Sequence, residues 1–198
     1  MDARWTIPDD VEGLIFDCDG TLVDTMPAHF VVWREVLAEH GIDFPEKLFY
    51  ELAGVPSVGV VAAAARAQGV EVDARVVGAL KDARYLSRED KGAAIAPVVA
   101  IARAERGRRK LAVASGNVTE IVMRTLRGAR IDDLFEVVVG ADQVARGKPS
   151  PDVFLRAAER IGVPPPACLV YEDGDLGIEA ARAAGMRWVD VRPLIAST

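Results

Sequence analysis

Cysteine and histidine are nearly absent from this chain, with two of each in 198 residues. Cys18 and Cys168 both fall in strand-like apolar runs, where they read as small core residues in a reducing compartment. A disulfide framework or a cysteine-based zinc cluster is thereby excluded. Excess positive charge is missing too. The formal net charge is −6, which argues against a nucleic-acid or anionic-membrane partner. No apolar run approaches the roughly 18 residues that a membrane span needs. The opening stretch, MDARWTIPDDVEG, lacks the basic start and apolar core of a signal peptide. A soluble, cytoplasmic, monomeric protein is the expectation. The remaining composition is ordinary for a globular chain, 51% hydrophobic and 27% charged, with length for one core and a smaller companion.

Residues 14–25, LIFDCDGTLVDT, break from that background. An apolar run ends in Asp17 and Asp19, where two carboxylates repel each other and lose solvation, so they need a cation or a shared proton. Further short apolar runs with turn signals predict strands over 13–17, 110–114, 135–139, 168–171 and 187–191. Helical patterns over 118–127, 151–161 and 175–184 separate the last four. Ser150 is expected to cap the second of these, with Pro151 at its first position and Gly162 as its stop. Strand–helix–strand repetition predicts an α/β fold, a doubly wound parallel sheet with helices on both faces. The first connection breaks the rhythm, because about 90 residues separate Asp19 from Lys110, far more than one crossover helix uses. Helical patterns over 26–40, 57–68 (opening at Ser57) and 74–88 (capped by Asp73) predict a helical insert over about 24–90. A crossover helix over 95–106 would then lead back to the sheet. The domains expected are therefore a core of 1–23 and 91–198, and a cap of 24–90.

Ligands bind outside the carboxyl ends of a parallel sheet. Four features of the sequence fall at that edge: Asp17-x-Asp19-Gly20-Thr21, Ser115-Gly116-Asn117, Lys148, and Glu172-Asp173. Brought together, they make a crevice of four acids, a lysine and a hydroxyl. Like charges about 4 Å apart cost roughly 4 kcal/mol at an effective dielectric near 20. A divalent cation relieves that cost, and hard oxygen donors without clustered histidines select Mg²⁺ over zinc. A phosphate could then bind between the cation, Lys148, the Ser115 hydroxyl and the turn N–H groups. Asp17 could attack phosphorus to give an aspartyl-phosphate, and Asp19 could protonate the leaving oxygen and then activate water. The two carboxylates would need different environments, Asp17 ionised and Asp19 able to hold a proton.

Each piece also has a plainer reading. A calcium loop fails because Thr21 stands where a third acid or asparagine belongs. Lys148 is not in a phosphate-binding P-loop, since six residues separate Gly140 from Gly147 and Pro149 replaces the Ser or Thr. EDGDLGIEAARAAG lacks the first glycine pair of a dinucleotide fingerprint, and Glu172 and Asp173 would repel a pyrophosphate. Taken singly, Ser115 reads as a helix cap, His29 and His40 as helix-surface residues, and the arginine-rich stretch 103–109 as a solvated helix end. Their joint order carries the argument.

That order resembles the haloacid dehalogenase-like hydrolases, whose four motifs look like DCDGT, ASGN, GKPSPDVF and YEDGDLGIEAARAAGM in this chain. A helical cap between the first and second motifs resembles the branch of β-phosphoglucomutase and small sugar phosphatases. MPAHFVVWREVLAEHG and AARAAGMRWVDVR look like its fructose-1-phosphatase-like members. The resemblance implies Asp17 as nucleophile and Asp19 as acid/base. It implies Mg²⁺ held by Asp17, the Asp19 carbonyl and Asp173, with Glu172 in support. Ser115, Gly116, Asn117 and Lys148 would take the phosphate, and His29 would face substrate from the cap. In place of the mutase's cap arginine, AGVPSVG offers Ser57, which favours hydrolysis of a phosphorylated metabolite, a sugar phosphate, over a bisphosphate intermediate. A phosphotransferase of the mutase kind is the alternative. A receiver-type signalling module has no use for Asp19 or for a lid of this size. Gly174 stands where many relatives have serine or alanine.

Overall fold

The computed structural model describes residues 6–88 and 92–196. Five strands, β1 (Gly13–Phe16), β2 (Lys110–Ala114), β3 (Val137–Val139), β4 (Cys168–Glu172) and β5 (Arg187–Asp190), form a parallel sheet in the order β3-β2-β1-β4-β5. Alternation along each strand divides its side chains between two apolar clusters. Leu14, Phe16, Leu111, Val113, Leu169 and Tyr171 join one. Ile15, Ala112, Ala114, Cys168 and Val170 join the other. The first cluster is closed by α5 (Ala96–Glu105) and α6 (Thr119–Gly128), through Val98, Ala102, Val122 and Leu126. The second is closed by α7 (Asp152–Ile161) and α8 (Asp175–Ala183), through Phe154, Ala157, Ala180 and Ala181. Continuous apolar strands such as GLIF and CLVY follow from burial on both faces. Both cysteines are free and buried, Cys168 at the start of β4 and Cys18 in the loop two residues beyond β1 instead of in a strand.

Between β1 and α5 the chain forms α1 (Met26–Ala38), α2 (Glu46–Glu51), α3 (Ser57–Gln68) and α4 (Ala74–Leu86). These helices enclose an apolar cluster of their own, built on Trp33, Leu37, Phe44, Phe49, Val61 and Tyr85 and joined from α6 by Ile121. Asp73 caps α4 by accepting from the N–H groups of Arg75 and Val76. Gly69 and Gly162 end α3 and α7 in the left-handed conformation. A last short helix, α9 (Arg192–Ile195), follows β5. The expected return of the insert to the core, at 90–91, lies outside the described residues.

Several boundaries differ from the sequence reading. Helix α1 stops at Ala38, and His40 turns its Nδ1 toward the Val36 carbonyl at 2.9 Å. Helix α3 opens at Ser57 as expected, but Ser150 does not cap α7, where Pro151 takes that position. The hydroxyls of Ser57 and Ser150 donate to the carboxylates of Asp82 and Asp152, each at 2.7 Å, an ionised acceptor outcompeting a role as acceptor from backbone N–H. Strand β3 pairs only from Val137, because residues 132–134 form a tight turn just before it. Helix α2 was not visible in the sequence. It has six residues and is held by burial of Phe49 against Phe30 and Phe44, with ring centroids 5.2 and 6.4 Å away. The stretch 103–109 is solvated except for Arg109, whose Nε donates to the Val11 carbonyl at 2.9 Å and whose head pairs with Glu105.

Candidate active site

Parallel register sets the site. Phe16 stands opposite both Val113 and Tyr171, so Asp17 and Glu172 emerge side by side one residue further on. The Asp17 N–H donates to the Tyr171 carbonyl at 2.9 Å and fixes its backbone. Lys148, wholly buried at its side chain, donates to Asp17 Oδ1 at 2.6 Å and to Glu172 Oε2 at 2.7 Å. The other Glu172 oxygen accepts from the N–H groups of Asp173 and Gly174, at 3.1 and 2.9 Å. Thr21 donates its hydroxyl to Asp173 Oδ1 at 2.7 Å. The loop can approach this closely because residue 20 is glycine. Its φ is +90°, and a Cβ there would lie 2.3 Å from Asp173 Oδ2.

Oxygens of Asp17, Glu172 and Asp173 lie within 4.8 Å of one another. At that spacing each ionised pair costs about 3–4 kcal/mol at an effective dielectric near 20. Burial and the Glu172 charge accordingly drive the Asp17 carboxyl well above its ordinary value, against the pull of Lys148. Asp173 is pushed up to about 7 by burial and Glu172, with Thr21 opposing. Burial disfavours the Lys148 ammonium, but Asp17 and Glu172 outweigh it and hold the lysine above its usual range. Three carboxylates facing one ammonium leave two negative charges unbalanced. The charge and the all-oxygen donor set suit a hard divalent cation.

Asp19 has a different environment. Its carboxylate stands apart from that triplet and collects donors: Thr25 Oγ1 at 2.7 Å, Asn117 Nδ2 at 2.9 Å and Ser115 Oγ at 3.1 Å. His29 Nε2 lies 3.3 Å from Oδ1, the oxygen that Thr25 also reaches, while Asn117 and Ser115 share Oδ2. Burial raises the Asp19 carboxyl, but the His29, Thr25 and Asn117 contacts outweigh it and hold it below the usual carboxylate range. Burial and the Lys81 ammonium keep His29 below its own ordinary value, so near neutral pH it offers a hydrogen bond and not a charge. The two carboxylates thus have opposite surroundings: without a cation, those of Asp17 disfavour its charged form, and those of Asp19 favour it. The physical reason is the neighbours: acids crowd Asp17, whereas donors surround Asp19.

Two plainer readings are corrected here. Ser115 is no helix cap, since α6 begins at Thr119, whose N–H is bound by Asp142 Oδ1 at 2.7 Å. His29 is no surface residue, being 3% exposed and stacked on Tyr85 at 3.7 Å. His40, by contrast, lies outside the site. Gly116 brings the two halves together, for a Cβ on it would meet the Gly54 carbonyl oxygen at 2.2 Å. The loop between α2 and α3 therefore rests directly on the β2 edge. The crevice it covers is lined by acids on one side and by Trp33, Phe44, Phe49, Ser57 and Lys81 on the other. Lys81 is a wall residue that local patterning does not single out; it sits four residues before Tyr85 on the buried face of α4.

A doubly wound parallel sheet with an acid–lysine crevice at its switch point, covered by a helical layer, defines an α/β enzyme of the lidded, carboxylate-based kind. The chain belongs to the haloacid dehalogenase-like hydrolases, whose family model matches residues 11–185. It is 39% identical over 182 residues to the fructose-1-phosphate phosphatase YqaB of Escherichia coli, covering 92% of this chain and 97% of that one. It is 30% identical to the β-phosphoglucomutase of Bacillus subtilis, covering 91% of this chain and 83% of the other. Among solved structures, CbbY from Rhodobacter sphaeroides in complex with xylulose-(1,5)-bisphosphate superposes with a TM-score of 0.77 at 28% identity, over 90% of this chain and 84% of that one. No helix among the described residues is long and apolar enough to cross a membrane.

Proposed function

We propose that this enzyme is a Mg²⁺-dependent phosphatase that hydrolyses a small phosphorylated metabolite, a sugar phosphate, with residues 24–90 acting as its cap and the cytoplasm as its place of work. The observation that carries the reading is the pairing of Lys148 with Asp17 beside Glu172 and Asp173, with Asp19 held separately two residues on. Asp17, Glu172 and Asp173, with the Asp19 carbonyl, would hold the cation, which offsets the charge of the phosphate and of the carboxylates. Lys148 holds one Asp17 oxygen and leaves the other for phosphorus. The Asp17 oxygen forms a bond to phosphorus as the ester P–O bond breaks and a proton passes from Asp19 to the leaving oxygen, giving an aspartyl-phosphate, an alcohol and an ionised Asp19. Water then attacks that phosphorus, the P–O bond to Asp17 breaks, and inorganic phosphate leaves. An ionised Asp19 is set to take the proton of that water. The acid half of its role requires its four donors to yield to the leaving oxygen as substrate enters. Ser115, Asn117 and the N–H groups about Gly116 are placed to receive phosphate oxygens.

Hydrolysis is favoured over mutase chemistry because the cap position that would need a guanidinium carries Ser57, whose hydroxyl is already engaged by Asp82. The sugar-phosphate class is supported by the similarity to the fructose-1-phosphate phosphatase of E. coli. The test is release of inorganic phosphate across a panel of phosphorylated metabolites with Mg²⁺. Asp17→Asn is expected to abolish turnover with an unchanged fold. Activity within about tenfold of wild type in that variant, or full activity in chelator, would sink the reading.

A further inference from the structure

The crevice has a second charged feature, opposite the acids, that the phosphatase chemistry does not use. Lys81 on α4 is 1% exposed, yet it lines the crevice beside Ser57. Its Nζ lies 3.2 Å from Asp82 Oδ1, 4.8 Å from the Trp33 ring centroid and 5.5 Å from that of Tyr85. The same Asp82 oxygen accepts the Ser57 hydroxyl at 2.7 Å. One carboxylate oxygen therefore claims both the Lys81 ammonium and the Ser57 hydroxyl, while His29, the other polar cap residue lining the crevice, is turned to Asp19. A buried ammonium demands a counter-charge, and Asp82 supplies it from within the cap, so this end of the crevice is electrically neutral. The remaining wall is apolar, formed by Trp33, Phe44, Phe49 and Val60.

We propose that Asp82 is a specificity-determining residue: by holding Lys81 and Ser57 it makes the cap end accept the hydroxylated, uncharged end of a phosphate monoester and reject an end that carries a second phosphate or a carboxylate. A sugar hydroxyl can both accept from the Lys81–Asp82 pair and donate to it. An anion can only accept. It must either break the pair or lie beside the Asp82 charge in a water-poor crevice, and both cost selectivity through repulsion. The acids at the other end, by contrast, leave the phosphate-binding half dependent on cations. The two ends of one site are thus sorted by charge.

The inference rests on the phosphatase reading, so the experiment separates the two. Purified full-length chain with Mg²⁺ is given p-nitrophenyl phosphate, fructose 1-phosphate and fructose 1,6-bisphosphate. The last two share a skeleton, and the bisphosphate places a phosphate at the cap in either orientation. Wild type is expected to favour the monophosphate in kcat/KM by about tenfold or more, chiefly through KM. Asp82→Asn keeps the side-chain shape and is expected to raise the bisphosphate-to-monophosphate ratio about tenfold. Ser57→Ala, which keeps the carboxylate, should move the ratio far less. Wild type treating both sugars alike overturns the inference even if the Asp82 variant fails to fold. An unmoved ratio in folded Asp82→Asn, or an equal rise in Ser57→Ala, also overturns it while leaving the phosphatase reading intact. No turnover of any ester overturns both.

Discussion

Two glycines in the site behave differently at the scale of single atoms. Residue 20 has φ +90° and no room for a Cβ, the nearest atom being an Asp173 oxygen at 2.3 Å. Gly20→Ala combines a left-handed backbone with displacement of an acid that belongs to the cation-binding triplet. It is expected to cost about 1–3 kcal/mol in urea unfolding and to weaken Mg²⁺ binding in a titration. Residue 174 has φ −97°, open to any side chain. Its Cβ would meet Glu172 Oε1 at 3.3 Å and the Ala53 carbonyl at 3.8 Å. Gly174 heads α8, where a serine is at least as good as glycine. Gly174→Ser should therefore stay within about 1 kcal/mol of wild type. A larger loss would mean that the cap loop at Ala53 cannot give way.

Contacts between whole elements decide how the crevice closes. The α2–α3 loop lies on the β2 edge because two glycine backbones meet there, Gly54 and Gly116. Ala at 116 would have to push that loop off the core, since a carbonyl oxygen at 2.2 Å cannot be accommodated by a rotamer change. The apolar cluster of α1–α4 stays intact in that displacement, so stability should change little. Binding of a sugar phosphate needs both walls, however. Gly116→Ala is expected to raise KM by about tenfold or more, read by steady-state kinetics alongside a thermal melt. Unchanged KM would show that the loop moves freely at no cost.

Across the molecule, the acid triplet links stability to pH and to metal. Asp173 has its pKa raised to about 7 from an ordinary value near 3.8, and Asp17 is raised as well. An acid whose folded-state pKa is raised holds its proton more tightly in the native state. Its contribution to stability is present below the unfolded value and is lost as pH climbs through the folded one. The metal-free protein should therefore lose stability between about pH 4 and pH 7 from these groups. A cation binds the deprotonated acids, so it reverses the trend. The rise in Tm on adding Mg²⁺ is expected to be larger at pH 7.5 than at pH 5. Scanning calorimetry at both pH values checks it, and an equal or larger effect at pH 5 would contradict the assignment.

Much of this was legible in the order of residues. GLIF and CLVY read as strands because burial on both faces removes polar residues, and that is visible within five positions. The acids, Ser115 and Lys148 read as one site because parallel strands end on one edge, so motifs after successive strands meet without any knowledge of strand order. Helix α1 was legible as a helix, but His29 taken singly read as a surface residue, whereas it is buried on the face that carries Met26, Trp33 and Val36. What His29 meets there, Tyr85 and Asp19, was not legible, because those partners arrive from another helix and another layer. Helix α2 escaped notice since six residues carry too little periodicity, and the Phe30 and Phe44 rings that its Phe49 packs on lie outside it. Lys81 carried no local sign of burial, because its Trp33 ring lies 48 positions away in the chain. Periodicity and turn chemistry act over a few residues and determined the sheet, its helices and the chemistry at its edge. The charge balance at each end of the crevice depends on which side chains desolvate one another, and only the docking of cap on core decided that.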